Sequence, residues 1–172
     1  QHLSDYTPPV MSRAHAGDGS LIAEYAEQRR IFVPINVVPE HLIQAFISAE
    51  DKNFFEHSGI DFVGVMRAIV QNVINVATGR RLEGASTITQ QVAKNFLLTS
   101  DVTLQRKLKE AVLAMRLEKA FDKRQLLELY LNEIYLGMGR YGVAAAALYY
   151  FDKPLNQLSV AEVAYLAALP KA

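Results

Sequence analysis

Hydrophobic and polar positions divide the chain into a short polar start and a long helical remainder. Residues 1–20 contain two prolines and two glycines and predict an extended lead-in. The stretch MSRAHAGDGSLIAEYA predicts a short hairpin with its turn at GDG, because glycine tolerates the positive φ of such turns. RRIFVPI predicts another short strand, which Pro34 confines to a sheet edge.

From Pro39 onward the pattern becomes helical. Pro39 suits a first helical position, and apolar residues then recur at helical spacing through Ala49. Residues 61–77 are apolar on more than one face, which predicts either deep burial or contact with something apolar. The polar stretch TGRRLEGAS predicts a mobile break, and residues 87–98 and 101–120 predict two more helices.

Local capping signals place the last three helices. Asp122 and Gln125 form a capping-box pattern that begins a helix, and Gly137 is predicted to end it. MGRYG predicts a loop and VAAAALYYF a helix of small residues. Ser159 and Glu162 form a second capping-box pattern, which begins the final helix.

These patterns predict a mainly α single domain with a little β structure at its start. Residues 1–38 would form the extended lead-in and short strands, and residues 39–172 the helical domain. With 172 residues, half of them hydrophobic, the chain can bury a sizeable core. It has no cysteine, which excludes disulfides and cysteine-based zinc sites. The chain begins with Gln1, its first residues lack the charged and apolar parts of a signal peptide, and it has no run of about 18 apolar residues. It is interpreted as a processed or excised piece.

The formal net charge is zero, but the charge is unevenly distributed. Residues 80–124 contain ten basic and five acidic residues, so the middle of the chain is basic and the rest acidic. This favours an anionic ligand held locally over binding of nucleic acid across the whole surface. A solvated helix face would explain the same charges, and charge alone favours this alternative over a bound anion.

The stretch AEDKNFFEHSG carries the first candidate group. Glu50 follows Phe46 by four residues, so on a continuous helix its carboxylate projects from the apolar stripe. A partly desolvated carboxylate is a usable general base near neutrality. The alternative is an acid at a frayed helix end, facing water beside Asp51. His57 alone is typical of a hydrogen-bonded structural histidine.

GASTITQQVAK carries the second set. Ser86 and Thr87 lie at the start of a predicted helix, where free N–H groups and the helix dipole favour an anion. Gln91 and Lys94 follow Thr87 by four and seven residues and share its face. Ordinary N-capping by a hydroxyl is the alternative.

RKLKE carries the third set. Arg106 and Glu110 are spaced i,i+4, with Lys107 beside them, which on an exposed helix would be surface decoration. Glu110, however, lies on a row of apolar residues along the same predicted helix. Together the three sets supply two carboxylates, several cations, and hydroxyl and amide groups on neighbouring helices. That combination suits transfer at a sugar joined to a phosphate, with one carboxylate as base and cations stabilising the leaving phosphate.

The ordered motifs EDKNFFEHSG, GASTITQQVAK, RKLKE, LLELYLNEIYLG and YGVAAAALYYFDK resemble the five motifs of the peptidoglycan glycosyltransferases, the lipid II polymerising domains of class A penicillin-binding proteins and their monofunctional relatives. The resemblance covers roughly residues 20–170, and the HAGDGSLIAEYAEQRR lead-in is closer to the class A 1a branch. It implies a lysozyme-like α-helical fold with a smaller membrane-facing jaw lobe. A transmembrane anchor and a transpeptidase domain would then lie outside this chain.

The resemblance also implies the reaction and its residues. Lipid II would be polymerised into glycan strands with inversion, releasing undecaprenyl diphosphate. Glu50 would be the general base and Glu110 the second essential acid. The residues implied to bind substrate are Asp51, Phe54, His57, Ser86, Thr87, Gln90, Gln91, Lys94, Arg106 and Lys107. Four residues of the last two motifs would serve mainly as scaffold: Glu128, Tyr130, Asn132 and Tyr149.

Further expectations follow from the resemblance. No cofactor is required, although a divalent cation (Mg²⁺ or Mn²⁺) assists some family members, and Glu110 would be its ligand. Expected partners are lipid II and the growing glycan strand, the membrane surface, moenomycin-type inhibitors and cell-wall synthesis proteins, but no nucleic acid. The expected location is the bacterial inner membrane, with the catalytic domain on its periplasmic face.

Two rival functions remain. A lysozyme-like hydrolase or lytic transglycosylase would share the fold and one acid but has little use for the cations, because its leaving group is a sugar. A non-catalytic module that binds lipid II or partner proteins would not need both acids.

Two residues depart from the family pattern. Ala85 lies where a second glycine is usual, and Asp152 lies where glycine is common.

Overall fold

The computed structural model describes residues 12–15, 21–25, 29–82, 84–96 and 103–171. Side chains are described within these ranges from Ile31 to Pro170. This part of the chain is mainly helical, as the hydrophobic pattern predicted. The helices are α1 (Glu40–Glu50), α2 (Phe62–Ala77), α3 (Ile88–Phe96), α4 (Leu104–Ala120), α5 (Lys123–Glu133), α6 (Val143–Phe151) and α7 (Val160–Ala168).

In the described part of the chain, four short strands form two small sheets. β1 (Ser12–His15) pairs antiparallel with β2 (Leu21–Tyr25), and the predicted GDG turn between them lies outside the described residues. β3 (Arg29–Arg30) pairs in parallel with β4 (Arg140–Tyr141). The strand predicted in RRIFVPI is therefore limited to two residues, and the predicted MGRYG loop contains β4.

The core lies where α1, α3, α5 and α7 meet. α3 packs against α4 and α5, while α1 packs against α7. The apolar stripe of α1 is buried, and the ring of Phe46 meets Tyr130 of α5 edge to face at 6.2 Å between centroids. α3 buries Ile88 and Val92 almost completely. These contacts fix the end of α1 and the start of α3, the two elements that the candidate motifs occupy.

Both predicted capping boxes are confirmed. Asp122 with Gln125 and Ser159 with Glu162 each exchange side-chain and backbone hydrogen bonds at the start of a helix. The pKa of Glu162 is lowered to about 2, first by the hydrogen bond from Lys153 and then by the backbone N–H of Ser159.

Two predicted helix ends are wrong. Gly137 does not end α5, which already stops at Glu133, because Ile134 is extended and its carbonyl accepts a hydrogen bond from the N–H of Gly142. At the start of α1, Pro39 is the capping residue rather than the first helical residue. Both errors arise at boundaries, where partners distant in sequence decide where the regular helix stops.

The apolar helix α2 is mostly exposed and contributes only Ala68 and Asn75 to the buried residues. Eight of its large apolar side chains, from Phe62 to Val76, are between 48% and 71% exposed, and Val65 is partly buried. Of the two interpretations of this segment, deep burial is therefore wrong, and contact with something apolar remains. Within the described ranges, no helix combines the length and hydropathy needed to span a bilayer.

Asp152, one of the two departures from the family pattern, follows α6 with φ of 53° and ψ of 38°, the left-handed region that favours glycine. Replacing Asp152 by Gly should stabilise the fold by about 0.5–1 kcal/mol, the relieved strain being partly offset by the greater freedom of glycine in the unfolded chain. Urea denaturation would measure this. Asp152→Ala is the control, because alanine keeps the Cβ strain and should not stabilise; equal stabilisation by both variants would contradict the explanation.

Candidate active site

A cavity of about 440 Å³ opens between the end of α1, one face of α2 and the segment before α3. The first two predicted motifs meet here, since Glu50 and Asp51 line it together with Ser86 and Thr87. The lining residues are 48–52 from α1 and the following turn, 84–87 from the segment before α3, and Asp61, Gly64, Arg67, Ala68 and Gln71 from the start and the body of α2.

Glu50 is the last residue of α1 and is partly buried at the cavity wall. Its Oε2 accepts a hydrogen bond of 2.7 Å from the Nε2 of Gln91, one turn inside α3. The carboxylate is therefore held in one orientation by an amide from a different motif. This placement agrees with the prediction that Glu50 projects from the apolar stripe and not from a frayed, solvated end.

Asp51, although it also lines the cavity, is buried and committed to holding the backbone. Its Oδ2 accepts the N–H of Ile88 at 3.0 Å, and the Nε2 of His57 lies 3.0 Å from both carboxylate oxygens. The N–H of Gly59 donates to the Nδ1 of His57 at 3.2 Å, so Nε2 carries the proton and donates to Asp51. With both oxygens engaged, Asp51 is poorly suited to accept a substrate proton.

Phe54 and His57 lie outside the cavity lining and pack against the residues that form it. Phe54 is fully buried and its ring meets those of Phe55 and His57 edge to face. A side chain without exposed surface cannot contact a ligand directly, so the expected substrate contact by Phe54 is corrected to a packing role. His57 is hydrogen-bonded to Asp51, which belongs to that lining.

Thr87 and Gln90 cap the start of α3. The N–H of Thr87 donates to Oε1 of Gln90 at 3.0 Å, and the N–H of Gln90 donates to Oγ1 of Thr87 at 3.1 Å. The Thr87 hydroxyl also donates to the carbonyl of Gly59 at 2.7 Å. Ordinary N-capping by a hydroxyl, the alternative interpretation from the sequence, therefore describes Thr87, which also lines the cavity.

Gly59 has to be glycine for two reasons. Its φ is 94°, and a Cβ at this position would lie 3.0 Å from the carbonyl carbon of Ala114 in α4. The end of the first motif is thus packed directly against the helix that carries the third motif. This close approach brings the two sets of candidate residues towards each other.

Glu110 is a buried carboxylate that forms ion pairs with Arg106 and the half-exposed Lys107. Only 1% of the residue is exposed, and its carboxylate oxygens lie 3.1 Å from Nε of Arg106 and 3.0 Å from Nζ of Lys107. Nζ of Lys107 also donates to Oγ of Ser86 at 2.9 Å, which joins these ion pairs to the cavity lining. An exposed, decorative pair is therefore the wrong description of Glu110.

A divalent cation does not fit at Glu110 in this geometry, because each carboxylate oxygen already faces a cationic side chain. Across the described ranges, no group of three or more His, Asp or Glu side chains could hold a metal ion.

Lys94 is exposed and follows Gln91 by three residues on α3, so it lies one turn further from Glu50 than the amide does. It is absent from the cavity lining. Its position is therefore compatible with a ligand that extends beyond the cavity along α3.

The contribution of α2 and of Lys52 to the cavity was not predicted from the sequence. Arg67 and Gln71 line the cavity from α2, opposite Glu50, and Asp61 caps that helix by accepting the N–H of Gly64 at 2.8 Å. That hydrogen bond is the main reason why the pKa of Asp61 is lowered. A signal was available: small and polar residues recur every three or four positions within an otherwise apolar helix.

The residues of the fourth motif hold the scaffold, as predicted. Oε2 of Glu128 accepts the N–H of Ile35 at 2.7 Å, and the Asn132 amide bonds both the N–H and the carbonyl of Val33. Burial, together with the nearby Glu50 and Asp51 charges, raises the pKa of Tyr130. In the fifth motif, Tyr149 lies under the guanidinium of Arg140, 4.2 Å from the ring centroid.

Comparison with known proteins gives consistent matches over nearly the whole chain. The transglycosylase family model matches residues 18–172. Penicillin-binding protein 1A of Rickettsia felis is 55% identical over 99% of this chain, that of Aquifex aeolicus 51% over 99%, and that of Haemophilus influenzae 51% over 92%. The chain spans 22%, 23% and 18% of the length of these three relatives. The chain therefore belongs to the transglycosylase family, in agreement with the resemblance that its five motifs carry.

Proposed function

We propose that this chain polymerises lipid II into glycan strands by inverting transfer. The observation that carries the proposal is the pairing of an oriented carboxylate with a nearby cationic cluster. Glu50 faces the cavity while hydrogen-bonded to Gln91, and Lys107 reaches the same cavity through Ser86. A base at one end and cations at the other match the two charges that such a reaction must manage.

In the proposed step, the 4-hydroxyl of the acceptor's N-acetylglucosamine attacks the anomeric carbon of the donor's N-acetylmuramic acid. Its proton passes to the Glu50 carboxylate as the new carbon–oxygen bond forms. The bond from the anomeric carbon to the diphosphate breaks, and its electron pair leaves with undecaprenyl diphosphate. Because attack and departure take place on opposite faces, the configuration at that carbon inverts.

The cluster of Arg106, Lys107 and Glu110 supports the leaving group. Two cations and one carboxylate leave a net single positive charge, which favours an incoming diphosphate. Glu110 is buried and holds both cations, so its proposed role is to position them. Glu50 rather than Glu110 is therefore the proposed base.

The exposed apolar face of α2 is the proposed membrane contact. Phe62, Met66, Val70 and Val73 lie on exposed parts of the helix, while its small and polar residues line the cavity. An enzyme acting on a lipid-linked sugar needs this arrangement, with the reactive sugar at the cavity and the lipid beside α2. We propose that α2 belongs to the jaw lobe of a lysozyme-like fold on the periplasmic face of the inner membrane.

Other expected partners follow from this proposal. Moenomycin-type inhibitors should compete with the donor for the cationic cluster, and cell-wall synthesis proteins stay predicted partners. No cofactor is assigned to the proposed step.

The purified chain should convert lipid II in detergent into strands that a gel resolves, with release of undecaprenyl diphosphate. A parallel incubation with purified sacculi separates the rivals. Cleavage of sacculi without polymerisation would establish a hydrolase or lytic transglycosylase instead. Binding of lipid II with neither reaction would support the non-catalytic module.

A further inference from the structure

We propose that Lys123 is a positioning residue for this reaction, acting through a clamp formed by Lys123, Glu118, Thr89 and the backbone carbonyl of His57. The inference rests on the proposed function and deepens it. None of these contacts follows from the capping box or from the predicted substrate contacts. They join the first motif, the second motif and the end of α4, the helix that carries the third motif.

The three hydrogen bonds of the clamp are all short. Nζ of Lys123 donates to the carbonyl of His57 at 2.6 Å and to Oε1 of Glu118 at 2.7 Å. The same Oε1 accepts the hydroxyl of Thr89 at 2.6 Å. The ammonium group also lies 4.5 Å from the ring centroid of Phe54. A single side chain at the first position of α5 therefore contacts the motif-one loop directly and reaches α3 through the end of α4.

Low solvent exposure strengthens the electrostatic interaction between Lys123 and Glu118. The side chain of Glu118 is 8% exposed and that of Lys123 21%, so water screens the pair far less than it screens a surface pair. The Lys153–Glu162 pair has the same 2.7 Å separation, but its side chains are 40% and 19% exposed. The second pair joins the end of α6 to α7, so it provides an internal comparison at equal distance.

Two connections lead from the clamp to Glu50. The first runs through the loop: His57 holds Asp51, the residue after Glu50, by the bond from its Nε2. The second runs through α3: Thr89 lies two residues before Gln91, whose amide orients the Glu50 carboxylate. Losing the ammonium charge would loosen both supports, and a base displaced by a fraction of an ångström loses much of its catalytic effect.

Lipid II kinetics for three variants would test the inference. Lys123→Met should lower kcat tenfold or more with KM changed less than twofold, at a temperature well below its unfolding midpoint. Lys123→Arg should recover most of kcat, because a guanidinium can make the same contacts. Lys153→Met is the matched control, which should lower the midpoint and leave kcat unchanged. A wild-type kcat in Lys123→Met, or equal losses of kcat in Lys123→Met and Lys153→Met, would overturn the inference.

Amide hydrogen exchange gives a second readout that does not require activity. In Lys123→Met, the amides of Gly59 and Ile88 should exchange faster than in wild type, while Lys153→Met should leave both unchanged. Unchanged exchange at both amides in Lys123→Met would overturn the positioning role. If wild type fails to polymerise lipid II, the proposed function fails by itself, and the exchange result still decides whether the clamp holds the site.

Discussion

Glu50→Gln should lower the kcat for lipid II polymerisation by about 10²- to 10⁴-fold, the usual contribution of a general base. The amide has nearly the shape of the carboxylate and can keep a hydrogen bond with Gln91, so the fold and KM should change little. It cannot accept the proton of the attacking hydroxyl. Initial rates at several lipid II concentrations, together with the thermal unfolding midpoint, would separate these effects.

The control is Glu56→Gln, which removes an exposed acid from the same loop. It should retain the wild-type rate. If Glu50→Gln kept more than about half of the wild-type kcat, Glu50 would not be the base. If both variants lost activity equally, the effect would come from the charge of the loop and not from the position of one carboxylate.

Glu110→Gln should lower kcat/KM by about 10²-fold and the free energy of unfolding by about 1–3 kcal/mol. Without the carboxylate, Arg106 and Lys107 lose the charge that holds them beside the cavity. Lys107 is half exposed and can turn towards water, which limits the stability cost. Kinetics and urea denaturation of the same preparations would give both quantities.

A double-mutant cycle with Lys107→Met tests how Glu110 acts. If Glu110 works by positioning the cations, its replacement should cost much less once Lys107 is gone, so the two losses should not add. Fully additive losses would show that the acid acts independently of Lys107. A stability loss without a kinetic loss would reduce Glu110 to a structural role.

The fold was predictable wherever short-range signals decide it. The capping boxes at Asp122 and Ser159 were predicted correctly, because a cap depends on residues only three positions apart. The end of α5 was not predicted correctly. Ile134 leaves the helix because its carbonyl accepts a hydrogen bond from Gly142, and no local sequence pattern indicates this pairing. Likewise, β4 exists only because β3, distant in sequence, lies beside it.

In the candidate site, too, short-range features could be predicted from the sequence, whereas contacts between distant segments could not. Its motifs identified Glu50 and Glu110, since an acid on an apolar stripe is a local signal. The commitment of Asp51 to Ile88 and His57, and the burial of Phe54, depend on how α3 packs against the loop. The α2 wall of the cavity and the Lys123 clamp also required the structure, because both join residues that are far apart in sequence.

The configuration of the newly formed glycosidic bond tests the central claim most directly. NMR coupling constants at the anomeric carbon of the product strands, compared with those of the lipid II donor, would report it. Direct attack assisted by Glu50 predicts a linkage whose configuration is inverted throughout. A retained configuration would require a covalent glycosyl–enzyme intermediate and would contradict the assignment of Glu50 as a general base.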